Sequence, residues 1–197
     1  MPRNESPAAV EPRAATEIYS PAARRFHWIV VGLLVLQLPI GYYMAYRGND
    51  LNIWDGTTNS LYSGHKLLGL ILLLIALARL GYRLVHGAPE PEPTLEPWHR
   101  LASAVNHLGI YVLLLLVPLL GWLGVSLYPA LDIFGLFKLP GLMAPDQKLS
   151  EIVLEYHGYA ALALVAFAGM HIGAALYHYL IRGDNVLGRM IPGLLRK

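Results

Sequence analysis

Apolar residues fall along this chain in four long blocks, from about Phe26 to Tyr46, Ser63 to Val85, Leu101 to Tyr128 and Ile152 to Ile181, separated by polar or turn-forming stretches. Each block matches the roughly 20 residues with which an α-helix crosses about 30 Å of hydrocarbon. Lipid accepts a helix that is apolar on every side, because the backbone satisfies its own hydrogen bonds and the side chains need no cover. The pattern predicts an all-α integral membrane protein, a bundle of four spanning helices. Pro39 and Pro118 fall inside the first and third spans, where neighbouring helices re-satisfy the freed carbonyls, so they are expected to mark kinks rather than ends.

Composition agrees: 55% of the 197 residues are hydrophobic and only 14% charged, and a soluble domain rarely looks like that. Residues 1–20 are rich in Pro, Ala, Arg and Glu without periodicity and are expected to form a disordered tail. They do not resemble a cleavable signal, since the first apolar block is of full spanning length and is framed by Trp28 and by Tyr42, Tyr43 and Tyr46, residues suited to a membrane interface. Residues 21–190 then form the membrane domain and 191–197 a short C-terminal tail.

Four spans place both termini and the loop between the second and third spans on one face. That face carries eleven Lys and Arg residues (Arg3, Arg13, Arg24, Arg25, Arg79, Arg83, Arg100, Arg182, Arg189, Arg196, Lys197) against four on the other (Arg47, Lys66, Lys138, Lys148). The positive-inside rule therefore predicts cytoplasmic termini. The same distribution accounts for the net charge of +2 without nucleic acid, because the basic residues are spread along membrane borders rather than gathered in a groove.

Cysteine is absent, which excludes disulfides, thiolate metal sites, iron-sulfur clusters and covalent haem attachment. Eight histidines remain, most of them in or beside the apolar blocks, where an ionisable group is expected to be functional because burying it unpartnered is costly. Depth sorts them. His27 opens the first span at the cytoplasmic face and His65 opens the second at the outer face. His157 and His171 on the fourth span are fourteen residues apart, about 21 Å at 1.5 Å per residue. Fourteen residues are also two heptads, so both rings project to one side in a left-handed bundle. The result is two layers, His27 with His171 and His65 with His157, each formed between two helices able to sandwich a flat macrocycle with two axial imidazoles.

Arg79 follows His65 by the same fourteen residues and is placed to neutralise a haem propionate in the cytoplasmic layer. Lys66, Arg24 and Arg25 are close to the layers, although a role as interfacial anchors fits them equally well. Glycines on the second to fourth spans, among them Gly64, Gly69, Gly109, Gly121, Gly124, Gly158, Gly169 and Gly173, permit close approach of a ring, but small residues line helix contacts in any membrane bundle. His86 and His99 flank a proline-rich loop and read as solvated. His107 and His178 both lie toward the cytoplasmic side, and His178, one heptad beyond His171, keeps a His27–His178 pair open on spacing alone.

The segments Ser20-Pro-Ala-Ala-Arg-Arg-Phe-His-Trp28 and Leu61-Tyr-Ser-Gly-His-Lys-Leu-Leu-Gly69, the paired His157 and His171, and the ending Arg182-Gly-Asp-Asn185 to Arg189-Met-Ile-Pro192 resemble the bacterial cytochrome b561 family. The resemblance covers the chain from Tyr19 onward. It implies a four-helix inner-membrane cytochrome with two b-type haems stacked across the bilayer and His27, His65, His157 and His171 as axial ligands. It also ranks His171 above His178, which with His107 is left to a supporting or quinone-site role. It further implies electron transfer between a small-molecule or protein donor and ubiquinone, with superoxide as the leading donor, in the manner of a superoxide:ubiquinone oxidoreductase. Two axial imidazoles per iron favour outer-sphere transfer. Lys66, Lys138 and Lys148 would help attract an anionic donor if the outer loop, from Pro129 to Ser150, does not cancel them through its acidic residues.

Two rival readings have different consequences. A cytochrome b anchor for a hydrogenase or formate dehydrogenase would co-purify with an iron-sulfur subunit. A haem-free, histidine-dependent transporter would show no haem absorbance, and the chain lacks the internal repeat such transporters often carry.

Overall fold

In the computed structural model, which describes residues 17–92 and 95–196, the four apolar blocks are four long helices: α1 (Pro21–Ala45), α2 (Gly56–His86), α3 (Pro97–Leu127) and α4 (Gln147–Tyr177). All four are long and apolar enough to cross a membrane. Their ends follow local chemistry. Ser20 Oγ accepts from Ala23 N at 3.2 Å ahead of Pro21, Asp55 caps α2 through Thr58 N at 2.8 Å, and Asp146 caps α4 through Leu149 N at 3.0 Å. The Asp55 carboxyl is held below its ordinary range, first by that Thr58 N–H and then by Arg47, which reaches it at 2.7 Å. Gly87 ends α2 with a positive φ of 72°. The helices begin before the apolar blocks because these caps, rather than hydropathy, decide where the backbone turns helical. Helices α1 and α3 run unbroken through Pro39 and Pro118.

Helices α1 and α4 each continue into a π-helical turn, Tyr46–Asp50 and His178–Arg182. Between α3 and α4 lies a hairpin of two short antiparallel strands, β1 (Asp132–Ile133) and β2 (Phe137–Lys138), a feature the hydropathy pattern did not indicate. Its turn closes by Leu136 N donating to Ile133 O at 3.0 Å, with Phe134 and Gly135 both at positive φ.

Helix α1 packs on α2, α2 on α3 and α3 on α4, whereas α1 and α4 make no comparable backbone approach. The interior is therefore closed on three sides and bridged by side chains on the fourth. Midway along the bundle an apolar cluster of Val30, Leu72, Ala76, Leu114 and Leu164 is buried. Leu164 is midway in sequence between His157 and His171, so this cluster partitions the two ends of the interior. Outward-facing Leu74, Val112, Leu162, Ile172 and many like them are exposed, as expected of helices whose solvent is lipid.

Of the expected N-terminal tail, residues 1–16 lie outside the described residues, as does Lys197. The remainder departs from that expectation. Arg189, 6% exposed, donates from Nε to Glu17 O at 2.8 Å and from Nη2 to Glu90 O at 2.5 Å, while Tyr19 N donates to Arg189 O at 3.2 Å. One arginine thus clasps the chain before α1, the loop after α2 and the segment after α4. Residues 191–196 are also folded back, with Arg196 N donating to Asn185 Oδ1 at 2.8 Å and Arg196 Nη2 to Tyr179 O at 2.5 Å. Most of these contacts join distant positions through backbone carbonyls, which leave no trace in composition.

Candidate functional site

The histidines converge as two ring pairs at different depths. His65 on α2 and His157 on α4 have ring centroids 6.0 Å apart at the hairpin end; His27 on α1 and His171 on α4 have the same 6.0 Å separation toward the termini. Two imidazoles bound on opposite sides of one metal, each nitrogen about 2 Å from it, place their ring centres roughly 6 Å apart. Both pairs meet that requirement, and each draws its two rings from different helices.

The hairpin-end pair is held with some care. His157 Nδ1–H donates to Val117 O at 2.8 Å, which fixes the ring and leaves Nε2 free of that bond and able to ligate. A Cβ at Gly121 would lie 3.0 Å from His157 Cε1, and a Cβ at Gly41 would lie 2.7 Å from His65 Cε1, so each ring is seated against a glycine of a neighbouring helix. Gln37, 8% exposed, donates through Nε2 to His65 O at 2.9 Å and lies 3.3 Å from His65 Nε2. His65 Nδ1 is buried with no partner among the described residues. A buried orphan nitrogen is costly in a finished core, and it is what a ring awaiting a ligand would show. Of the glycines noted in the sequence, Gly158, Gly169 and Gly173 face open space. Gly41 and Gln37 were missed, although a lone amide within Leu-Val-Leu-Gln-Leu-Pro was a signal for the latter.

The other pair has more neighbours. His107 on α3 comes within 5.1 Å of the His171 ring, edge to face, and its Nδ1–H donates to Ser103 O at 2.7 Å. That separation is shorter than two rings on opposite sides of one metal require, so His107 packs beside the pair. Arg79 Nη1 reaches Ala23 O at 3.5 Å, and the Arg79 and Arg83 guanidiniums lie 5.6 and 5.9 Å from the Tyr111 ring. Both arginines border a small cavity that Tyr82 also lines, next to the His27 layer, an arrangement suited to an anionic group.

His178 stands apart. It is 7% exposed and its Nδ1 lies 2.6 Å from Asp184 Oδ2, while its closest ring neighbours are His99 and Tyr177. His86 stacks on Tyr82 and is exposed, as expected. His99 is not simply solvated. It is half-buried, stacked on Trp98 at 3.6 Å, and 3.5 Å from Arg182 Nη1.

Lys66 is engaged by the hairpin. Its ammonium donates to Ala130 O at 2.9 Å and to Asp132 O, Phe134 N donates to Ser63 Oγ at 3.1 Å, and Trp122 Nε1 donates to Pro140 O at 3.0 Å. Ile133 is fully buried beneath. Lys66 therefore pins the hairpin over the His65 end. Lys66→Met is expected to leave the ring pairs intact but cost about 1.5–3 kcal/mol, the worth of hydrogen bonds from a charged donor. Limited proteolysis should show faster cutting between residues 129 and 146; an unchanged rate would contradict the clamp.

A family profile described as prokaryotic cytochrome b561 matches residues 18–193. Among curated proteins, the chain is 27% identical over 176 residues to cytochrome b561 homolog 2 of Escherichia coli, covering 89% of this chain and 92% of that one. It is 29% identical to cytochrome b562 of Cereibacter sphaeroides, over 84% and 89% of the two chains. To the probable superoxide oxidase CybB of Yersinia pestis it is 25% identical, over 84% and 91%.

Proposed function

Because the chain belongs to the prokaryotic cytochrome b561 family, whose members carry electrons across a membrane through b-type haem, we propose that it holds two such haems and passes electrons from a periplasmic donor to ubiquinone. His65 and His157 would hold the periplasmic haem and His27 and His171 the cytoplasmic one. The observation that carries this reading is the equal 6.0 Å separation of two ring pairs at two depths, joined by one helix. With His27, His65, His157 and His171 holding it, haem iron would supply reversible one-electron chemistry suited to outer-sphere transfer.

The chain's own residues supply position and electrostatics. The Val117 carbonyl orients His157 and makes it a stronger donor. The apolar partition around Leu164 keeps water from joining the two layers. Arg79, facing the cytoplasmic layer with Arg83 beside it, takes the role of propionate partner. The excess of basic residues at the termini end supports cytoplasmic termini in a bacterial inner membrane.

Superoxide is the donor that accords with one relative's name, and the charge of Lys66, though engaged by the hairpin, still favours approach of an anion. The purified protein is to be mixed with superoxide and then with a soluble quinone while the haem absorbance is followed. Reduction followed by reoxidation is expected. No reduction by superoxide would transfer the role to a protein donor.

A further inference from the structure

Helix α1 carries a single amide side chain, Gln37, set in the apolar run Leu33-Leu-Val-Leu-Gln-Leu-Pro-Ile40. A polar group at that depth is costly unless it has a partner, and Gln37 is only 8% exposed. Its partner is the backbone of a candidate ligand on α2: Nε2 donates to His65 O at 2.9 Å. The carbonyl fixes the sense of the amide, since turning it over would set two acceptors against each other. The N–H end therefore faces His65, 3.3 Å from the ring's Nε2, and Oε1 is buried with no partner among the described residues.

Two glycines complete the seat. A Cβ at Gly69 would lie 3.2 Å from Gln37 Nε2, so α2 leaves room for the amide one turn after His65, and Gly41, one turn after Gln37 on α1, lies against His65 Cε1. Helix α1 thus holds His65 at two successive turns, through an amide and through a glycine. Interhelical hydrogen bonds in lipid contribute little on average. Helix association alone is a weak reason to bury an amide whose oxygen stays idle.

The two rings of this pair have opposite surroundings. His157 gives its Nδ1–H to Val117 O, an acceptor that enriches the ring in electron density, whereas His65 has a donor beside it and a buried Nδ1 without an acceptor. Because the amide is anchored on a backbone carbonyl, its N–H end stays beside the ring whichever ring nitrogen meets the metal. The positive end of a dipole next to an axial ligand favours the state with one more electron. We propose that Gln37 is a positioning residue that acts through His65 to raise the reduction potential of the haem held by His65 and His157, so that the periplasmic side receives electrons more readily from a one-electron donor. This role rests on the function proposed above and adds to it the group that sets one of its potentials. No bond forms or breaks in the step concerned: the donor loses one electron and ferric iron becomes ferrous.

The test reads the potential, which a purely structural hydrogen bond would not move in this direction. Full-length haem-loaded protein in lipid nanodiscs is titrated electrochemically while the haem absorbance is followed, and the component missing from His65→Ala identifies the haem concerned. Gln37→Leu is expected to make that haem harder to reduce, by roughly tenfold in the reduction equilibrium, the low end of what the partner of a metal ligand contributes. That is about 59 mV for one electron. The other component should stay where it was. The sign is decisive: leucine makes the site more apolar, which by itself favours the less charged ferrous state and moves the potential up, whereas loss of the amide dipole moves it down. Gly69→Ala, which crowds the amide without removing it, should shift the same component in the same direction by less. An unchanged or raised potential in Gln37→Leu would overturn the role of Gln37 and leave the proposed function intact. Wild-type protein that binds no haem at the His65 end, so that His65→Ala loses no component, would overturn both. Should Gln37→Leu not retain that haem, Gly69→Ala decides: a downward shift supports the proposal, and no shift or an upward one refutes it.

Discussion

Replacing His65 or His157 by alanine is expected to reduce the haem content from about two per chain to about one, with loss of the same spectral component in both variants. The reason is geometric. Each ring of the pair belongs to a different helix, and neither has a second imidazole within reach to take its place, since the other pair lies about 21 Å further along α4 at 1.5 Å per residue. Sites that far apart, with no shared ligand and with the Val30, Leu72 and Leu164 cluster between them, should respond independently. Haem quantified as its pyridine complex, together with the reduced-minus-oxidised spectrum, reads this directly. Two haems retained in either variant would remove the layered arrangement.

The second large effect separates three histidines that sequence spacing left in competition. His171→Ala should remove the cytoplasmic-side haem entirely, while His107→Ala and His178→Gln keep both. His171 forms a pair with His27 at the separation found in the other layer, His107 crowds the His171 ring at 5.1 Å, and His178 is committed to Asp184. Glutamine is the better probe at His178, because alanine would strand a buried carboxylate at a cost of about 3–5 kcal/mol and confuse unfolding with haem loss. The same spectra decide the matter: loss of haem in His178→Gln with retention in His171→Ala would reverse the assignment.

Hydropathy was enough for the four spans, and antiparallel helix direction with the fourteen-residue interval on the last span was enough to propose the two layers, because both depend on local periodicity and on the fixed rise of a helix. Three matters lay beyond that reach. Lys66 was read as a group beside the layers, yet its ammonium is engaged by carbonyls of the hairpin, and carbonyl partners are invisible in side-chain patterns. His99 read as a solvated flank because its neighbours in sequence are polar, while its neighbour in space is Arg182, 83 positions away. Residues 17–20 read as tail because the arginine that clasps them lies past the end of α4.

What the amino-acid sequence determined by itself was the solvent, the number of helices and the depth of each histidine, since these follow from apolar run length and residue count along one axis. Only the tertiary structure decided which rings face each other, which glycines seat them, and that His178 turns to Asp184 instead of joining a ring pair. Those choices depend on helix rotation and on the side α1 and α4 leave open, and rotation is set by packing among all four helices rather than by any one of them.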